Sequence, residues 1–90
     1  MAMFVVKRDL PGITSDALQG AGLRVKSCAA DMRGAGLDVD WVRSFFLAAS
    51  EQTHCYFEAP DLESVRELNE RAQIPFSEIS QVEKMTPESV

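Results

Sequence analysis

His54 is the only histidine of the chain, and it opens a run, His54-Cys55-Tyr56-Phe57-Glu58, that holds an imidazole, a thiol, a phenol and a carboxylate. Such groups can move protons, ligate a metal or hold an anion, provided that the right ones share a surface. A second run, Trp41-Val42-Arg43-Ser44-Phe45, sets a guanidinium between aromatic rings. Both runs have strand composition, and successive strand side chains point to opposite faces. His54 and Cys55 therefore face apart and cannot chelate one ion together. His54 and Glu58 share a face but stand roughly 13 Å apart at strand rise, too far for one metal. A metal at His54 would need a ligand from a second copy of the chain.

Cys28 and Cys55 are expected in the core as small hydrophobes, since a nucleophilic thiol needs an exposed, electropositive setting and a nearby base. Two cysteines do not make a disulfide framework. Arg43, between two aromatics, needs an anionic partner; Glu58 on the neighbouring strand is expected to supply it, or else an anion bound beside it. Lys7 and Arg8 close the first strand, and one of the two is expected to reach the same place.

The elements that must position these groups are short. Met3–Arg8 reads as a strand broken by Leu10-Pro11-Gly12. Thr14-Ser15-Asp16 starts a helix, with Leu18, Gly22, Val25, Ala29 and Met32 at helical spacing and Cys28 beside them; Gly34 and Gly36 can end it. Val39–Leu47 and Gln52–Ala59 are two strands joined by residues 48–51. Asp61 caps a second helix with Val65, Leu68 and Ala72 on its apolar side, and Pro75 lies past its end. Phe76–Lys84 is a fourth strand, so that residues 1–84 make one domain, and 85–90 a loose tail. The order β-α-β-β-α-β is that of a ferredoxin-like α+β sandwich: a four-stranded antiparallel sheet with two helices on one face.

A four-residue connection pairs Phe46 with Thr53, Phe45 with His54, Arg43 with Tyr56 and Trp41 with Glu58. Val42 with Phe57, Ser44 with Cys55 and Phe46 with Thr53 then lie under the helices. The opposite face carries Trp41, Arg43, Phe45, Leu47, His54, Tyr56 and Glu58. A solvated sheet face should be plainly polar, and an apolar patch of several hundred Å² usually marks a partner. The expected partner is a second copy, giving a dimeric α+β barrel with a seam between the sheets.

At 90 residues, one modest domain is expected, and oligomerisation is a usual remedy for a small core. The net charge of −5 argues against nucleic acid and anionic membranes. The apolar run Met1–Val6 is too short for a signal sequence and no stretch reaches membrane-span length, so a cytoplasmic location is expected.

Four segments, VKRDLPGIT (Val6–Thr14), VDWVRSF (Val39–Phe45), HCYFEAPDLESVRELNERA (His54–Ala72) and ISQV (Ile79–Val82), resemble a family of small ferredoxin-like proteins of unknown function that includes nickel-binding members. The Cys-x-x-x-Ala-Pro stretch with the following helix is the most specific. The resemblance implies a βαββαβ fold, a homodimer and nickel as the candidate cofactor. It also implies histidine ligands at positions where this chain has Lys7, Arg43 and, in the second helix, Leu68 or Asn69. Only His54 remains as a metal candidate, so no cofactor is expected apart from that implied nickel.

These readings combine into a homodimeric, non-catalytic binding module. Its site is the seam lined by Trp41, Arg43, Phe45, His54, Tyr56 and Glu58, and its ligand a small anion rather than a transition metal. The alternative is a cofactor-free oxygenase or isomerase in the same seam, with His54 and Arg43 or Tyr56 as acid–base groups; it rests on fold analogy.

Overall fold

The computed structural model describes residues 1–90. Strand β1 (Ala2–Asp9) is followed by α1 (Ser15–Gly34), β2 (Asp40–Leu47), β3 (Gln52–Ala59), α2 (Leu62–Arg71) and β4 (Glu78–Val82), and a 3₁₀ turn at Pro87–Ser89 ends the chain. The sheet order is β2-β3-β1-β4, with every pair antiparallel. This is the expected ferredoxin-like α+β architecture.

Local chemistry sets the helix ends. Thr14 Oγ1 accepts the Ala17 amide at 3.1 Å, and Asp61 Oδ1 accepts the Ser64 amide at 2.8 Å, so each helix has a side-chain N-cap. At the far end of α1, the Gly36 amide donates to the Arg33 carbonyl and the Leu37 amide to that of Met32. With φ of 90° at Gly36, this is a Schellman stop.

The core lies between the helices and one face of the sheet. Phe4, Val6 and Phe57 meet Val25, Ala29 and Met32 of α1 and Val65 and Leu68 of α2, all buried. Together they form a slab with extents of 37 × 35 × 18 Å: one layer of helix, one of sheet, and a second sheet face with no element over it. No helix is long and apolar enough to cross a membrane.

Two expectations are corrected. β4 is shorter than Phe76–Lys84, because its ladder to β1 runs only from Glu78 to Val82. Ser77 instead bonds the Lys7 carbonyl through both its amide, at 2.8 Å, and its hydroxyl, at 3.2 Å. The hairpin also keeps the expected register only from Leu47 back to Arg43. A β-bulge then adds one residue, so that Trp41 pairs with Phe57 and Asp40 with Glu58.

Candidate functional site

The bulge decides which side chains reach the uncovered face. Trp41 does not: paired with Phe57, it turns to the helix side and packs on the core. Its indole Nε1–H donates to Ser44 Oγ at 2.9 Å. Residues three apart in a regular strand face opposite ways; the extra residue puts these two on one side. The energetic reason is size. An indole covers far more apolar surface than an isopropyl group, so the strand turns Trp41 onto the core, half-buried, and leaves Val42, expected under the helices, 37% exposed.

Beside an end row of Leu47, Gln52 and Asp9, three further cross-strand rows fill the uncovered face. Phe45, His54, Lys7 and Glu78 form the first; Arg43, Tyr56, Val5 and Ser80 the second; Asp40, Glu58, Met3 and Val82 the third. Phe45 meets Tyr56 edge to face, with ring centroids 6.2 Å apart and planes at 80°, yet Phe45 stays 57% exposed. Lys7 Nζ lies 3.7 Å from Glu78 Oε2, which also accepts the Ser80 hydroxyl at 2.7 Å. The Ser80 hydroxyl first, then the Lys7 ammonium, holds the Glu78 carboxyl below the usual glutamate range. Asp40 is bonded by Arg33 at 3.1 Å. Arg43 is exposed, and the expected ion pair with Glu58 is not made within the chain. The bulge sets Glu58 opposite Asp40 instead, a like-charged neighbour.

Five of the six expected seam residues thus share this face: Arg43, Phe45, His54, Tyr56 and Glu58. Cys55 and its neighbour His54 lie on opposite faces as alternation requires, and Cys55 is buried, with Cys28 half-buried against the core. Within one chain the donor set does not fit a nickel site. No three His, Cys, Asp or Glu side chains cluster, and His54 has the cationic Lys7 and the apolar Phe45 as its cross-strand neighbours. Of the positions implied for histidine ligands, Lys7 and Arg43 are on the uncovered face, whereas Leu68 and Asn69 are buried on the helix side.

Lys7 and Arg8 part company by the same alternation. Arg8 turns under the helices and is 3% exposed. One of its terminal nitrogens donates to Asn69 Oδ1, and the other to the carbonyls of Ile74 and Pro75 at 3.5 Å. Asn69 is locked by donating to the Val65 carbonyl at 2.8 Å. Beside Arg8, a cavity of about 470 Å³ lies under the first half of α1 against β2 and β3. Sequence reasoning missed both. Counting alternation outward from Val6 would have placed Arg8 on the covered face, but nothing local announces a cavity.

Taken together, these features define a small ferredoxin-like α+β domain with one uncovered sheet face carrying aromatic and charged side chains. The family model for nickel responsive proteins that are SCO4226-like matches residues 4–82, and the chain belongs to that family. The crystal structure of SCO4226 from Streptomyces coelicolor A3(2) is similar at a TM-score of 0.80 with 28% identity, over 94% of this chain and 100% of that one. No curated protein matches significantly.

Proposed function

We propose that this member of the nickel-responsive family works as a homodimeric, non-catalytic binding module that holds a small anion in the seam between two sheets. The uncovered face carries the reading: Phe45, on the edge strand β2 and 57% exposed, stacks edge-on against Tyr56 of β3 on one side of a slab only 18 Å thick. A two-fold interface must be self-complementary. This face offers the apolar Phe45, Tyr56 and Val5 beside one cation, Arg43, and one anion, Glu58, neither of them ion-paired within the chain. A second copy therefore fits better than a partner of one charge sign.

Arg43 and His54 are the anion contacts in this reading, and Lys7 is already neutralised by Glu78. Nickel suits it less, because His54 is the single imidazole and no three donor side chains cluster within one chain. Sedimentation together with two calorimetric titrations tests the proposal. A dimer that binds phosphate or acetate, with loss of binding in Arg43→Ala, is the expected result. A concentrated sample that stays monomeric overturns it. So does saturable nickel binding that His54→Ala abolishes, which would make the seam a shared metal site.

A further inference from the structure

A different part of the molecule carries a site that owes nothing to the seam. Arg8 and Thr53 are direct cross-strand partners on the helix side of the sheet, so their side chains start within about 5.5 Å of each other. Both are buried, at 3% and 4% exposure, and both line the cavity of about 470 Å³ beneath α1. Thr53 Oγ1 is the one buried side-chain nitrogen or oxygen in the protein with no hydrogen-bond partner. Arg8 has only neutral acceptors, the Asn69 amide oxygen and two distant carbonyls, and no carboxylate is paired with it. Donors of its guanidinium remain free. A buried cation without a counter-charge beside a buried hydroxyl without a partner is unfavourable twice over, unless something completes both.

We infer that the cavity binds a small monocarboxylate with an apolar tail, its carboxylate held by Arg8 and Thr53. Arg8 is the buried cation of the lining, with Lys26 at its exposed side, and one buried cation balances one carboxylate. The tail has its own surface: Leu18 and Ala21 of α1, Trp41 and Phe46 of β2, and Ile74. The volume falls within the range of about 300–1,000 Å³ usual for small-molecule pockets. Small side chains make the room. Ser44, Thr53 and Cys55 line the sheet below α1, and Gly22 faces the Trp41 ring, where an added Cβ would sit 3.5 Å from it.

Trp41 is the only tryptophan and lines the cavity, so its emission reports occupancy. The experiment titrates the protein with hexanoate, octanoate and decanoate, using 1-octanol as the neutral counterpart. At least one acid is expected to change Trp41 emission saturably, at one per chain, with octanol weaker than octanoate by about tenfold or more. Thr53→Val should weaken the acid by about tenfold or more and leave octanol unchanged, while its denaturant midpoint does not fall, because the hydroxyl it removes has no partner. Ala21→Leu, which fills the cavity from α1, should weaken acid and alcohol alike. No saturable change with any acid, equal affinity for octanol, or undiminished binding in Ala21→Leu would each overturn the inference. Undiminished acid binding in a folded Thr53→Val would overturn it as well.

Discussion

Asn69 carries more than its size suggests. It is fully buried, ties itself to the turn of helix before it through the Val65 carbonyl, and presents its amide oxygen to the Arg8 guanidinium. It is the only side chain that accepts from this buried cation. Asn69→Ala is expected to cost about 2–3 kcal/mol, since it removes a hydrogen bond to a charged group and leaves that group less satisfied. Urea unfolding should show a lower midpoint with an unchanged slope. Asn69→Asp makes the opposite test: a carboxylate there would neutralise Arg8 and should weaken acid binding in the neighbouring cavity. At this scale, strand composition and alternation were legible. They placed His54, Tyr56 and Glu58 together and Cys55 apart. The surroundings of Arg8 were not legible, because its acceptors come from residues more than sixty positions away.

Among the elements, α1 has the most room for improvement. Gly20 sits within it, and a Cβ added there meets nothing within 4 Å. Gly20→Ala should therefore stabilise by up to about 1 kcal/mol, raising Tm by about 4–8 °C. Gly36→Ala has the same composition change and the opposite sign: φ of 90° is closed to a side chain, and the Schellman stop should lose about 1 kcal/mol or more. Scanning calorimetry on the two variants separates these effects. The cap of α2 carries a pH dependence. The Ser64 hydroxyl and then the Ser64 amide hold the Asp61 carboxyl below the usual aspartate range. A lowered carboxyl contributes stability above the ordinary aspartate pKa and loses it as pH falls through the lowered value. Asp61→Asn should flatten that part of the acid limb, read from urea midpoints at successive pH values. The bulge in β2 is the one place where the hairpin departs from simple alternation. Two adjacent apolar residues, Trp41 and Val42, compete for the covered face, and local sequence does not record which one wins.

For the molecule as a whole, the slab geometry poses the main question. Helices cover one sheet face, and the other is left with Phe45, Tyr56 and a ring of charge. In the proposed dimer, Phe45→Glu places a charge on the β2 side of that face without touching the core. It should shift the sedimentation coefficient toward that of the monomer, weaken self-association by tenfold or more at an estimated 1.4 kcal/mol per decade, and leave the circular dichroism spectrum as it was. Membership of a nickel-responsive family and the lack of a three-donor cluster within one chain are compatible on the same terms.

Order and type of the elements, the capping residues, the glycine that stops α1 and the faces of β3 follow from the amino-acid sequence, because each depends on neighbours one to four positions away. Tertiary structure decided the rest. Whether Trp41 or Val42 is buried depends on what α1 presents above β2. Which acceptors Arg8 finds depends on where the end of α2 lands, and whether a cavity forms depends on how far small side chains on α1, β2 and β3 leave those elements apart. Those outcomes are set by packing between distant segments, a sum over contacts that no local period encodes.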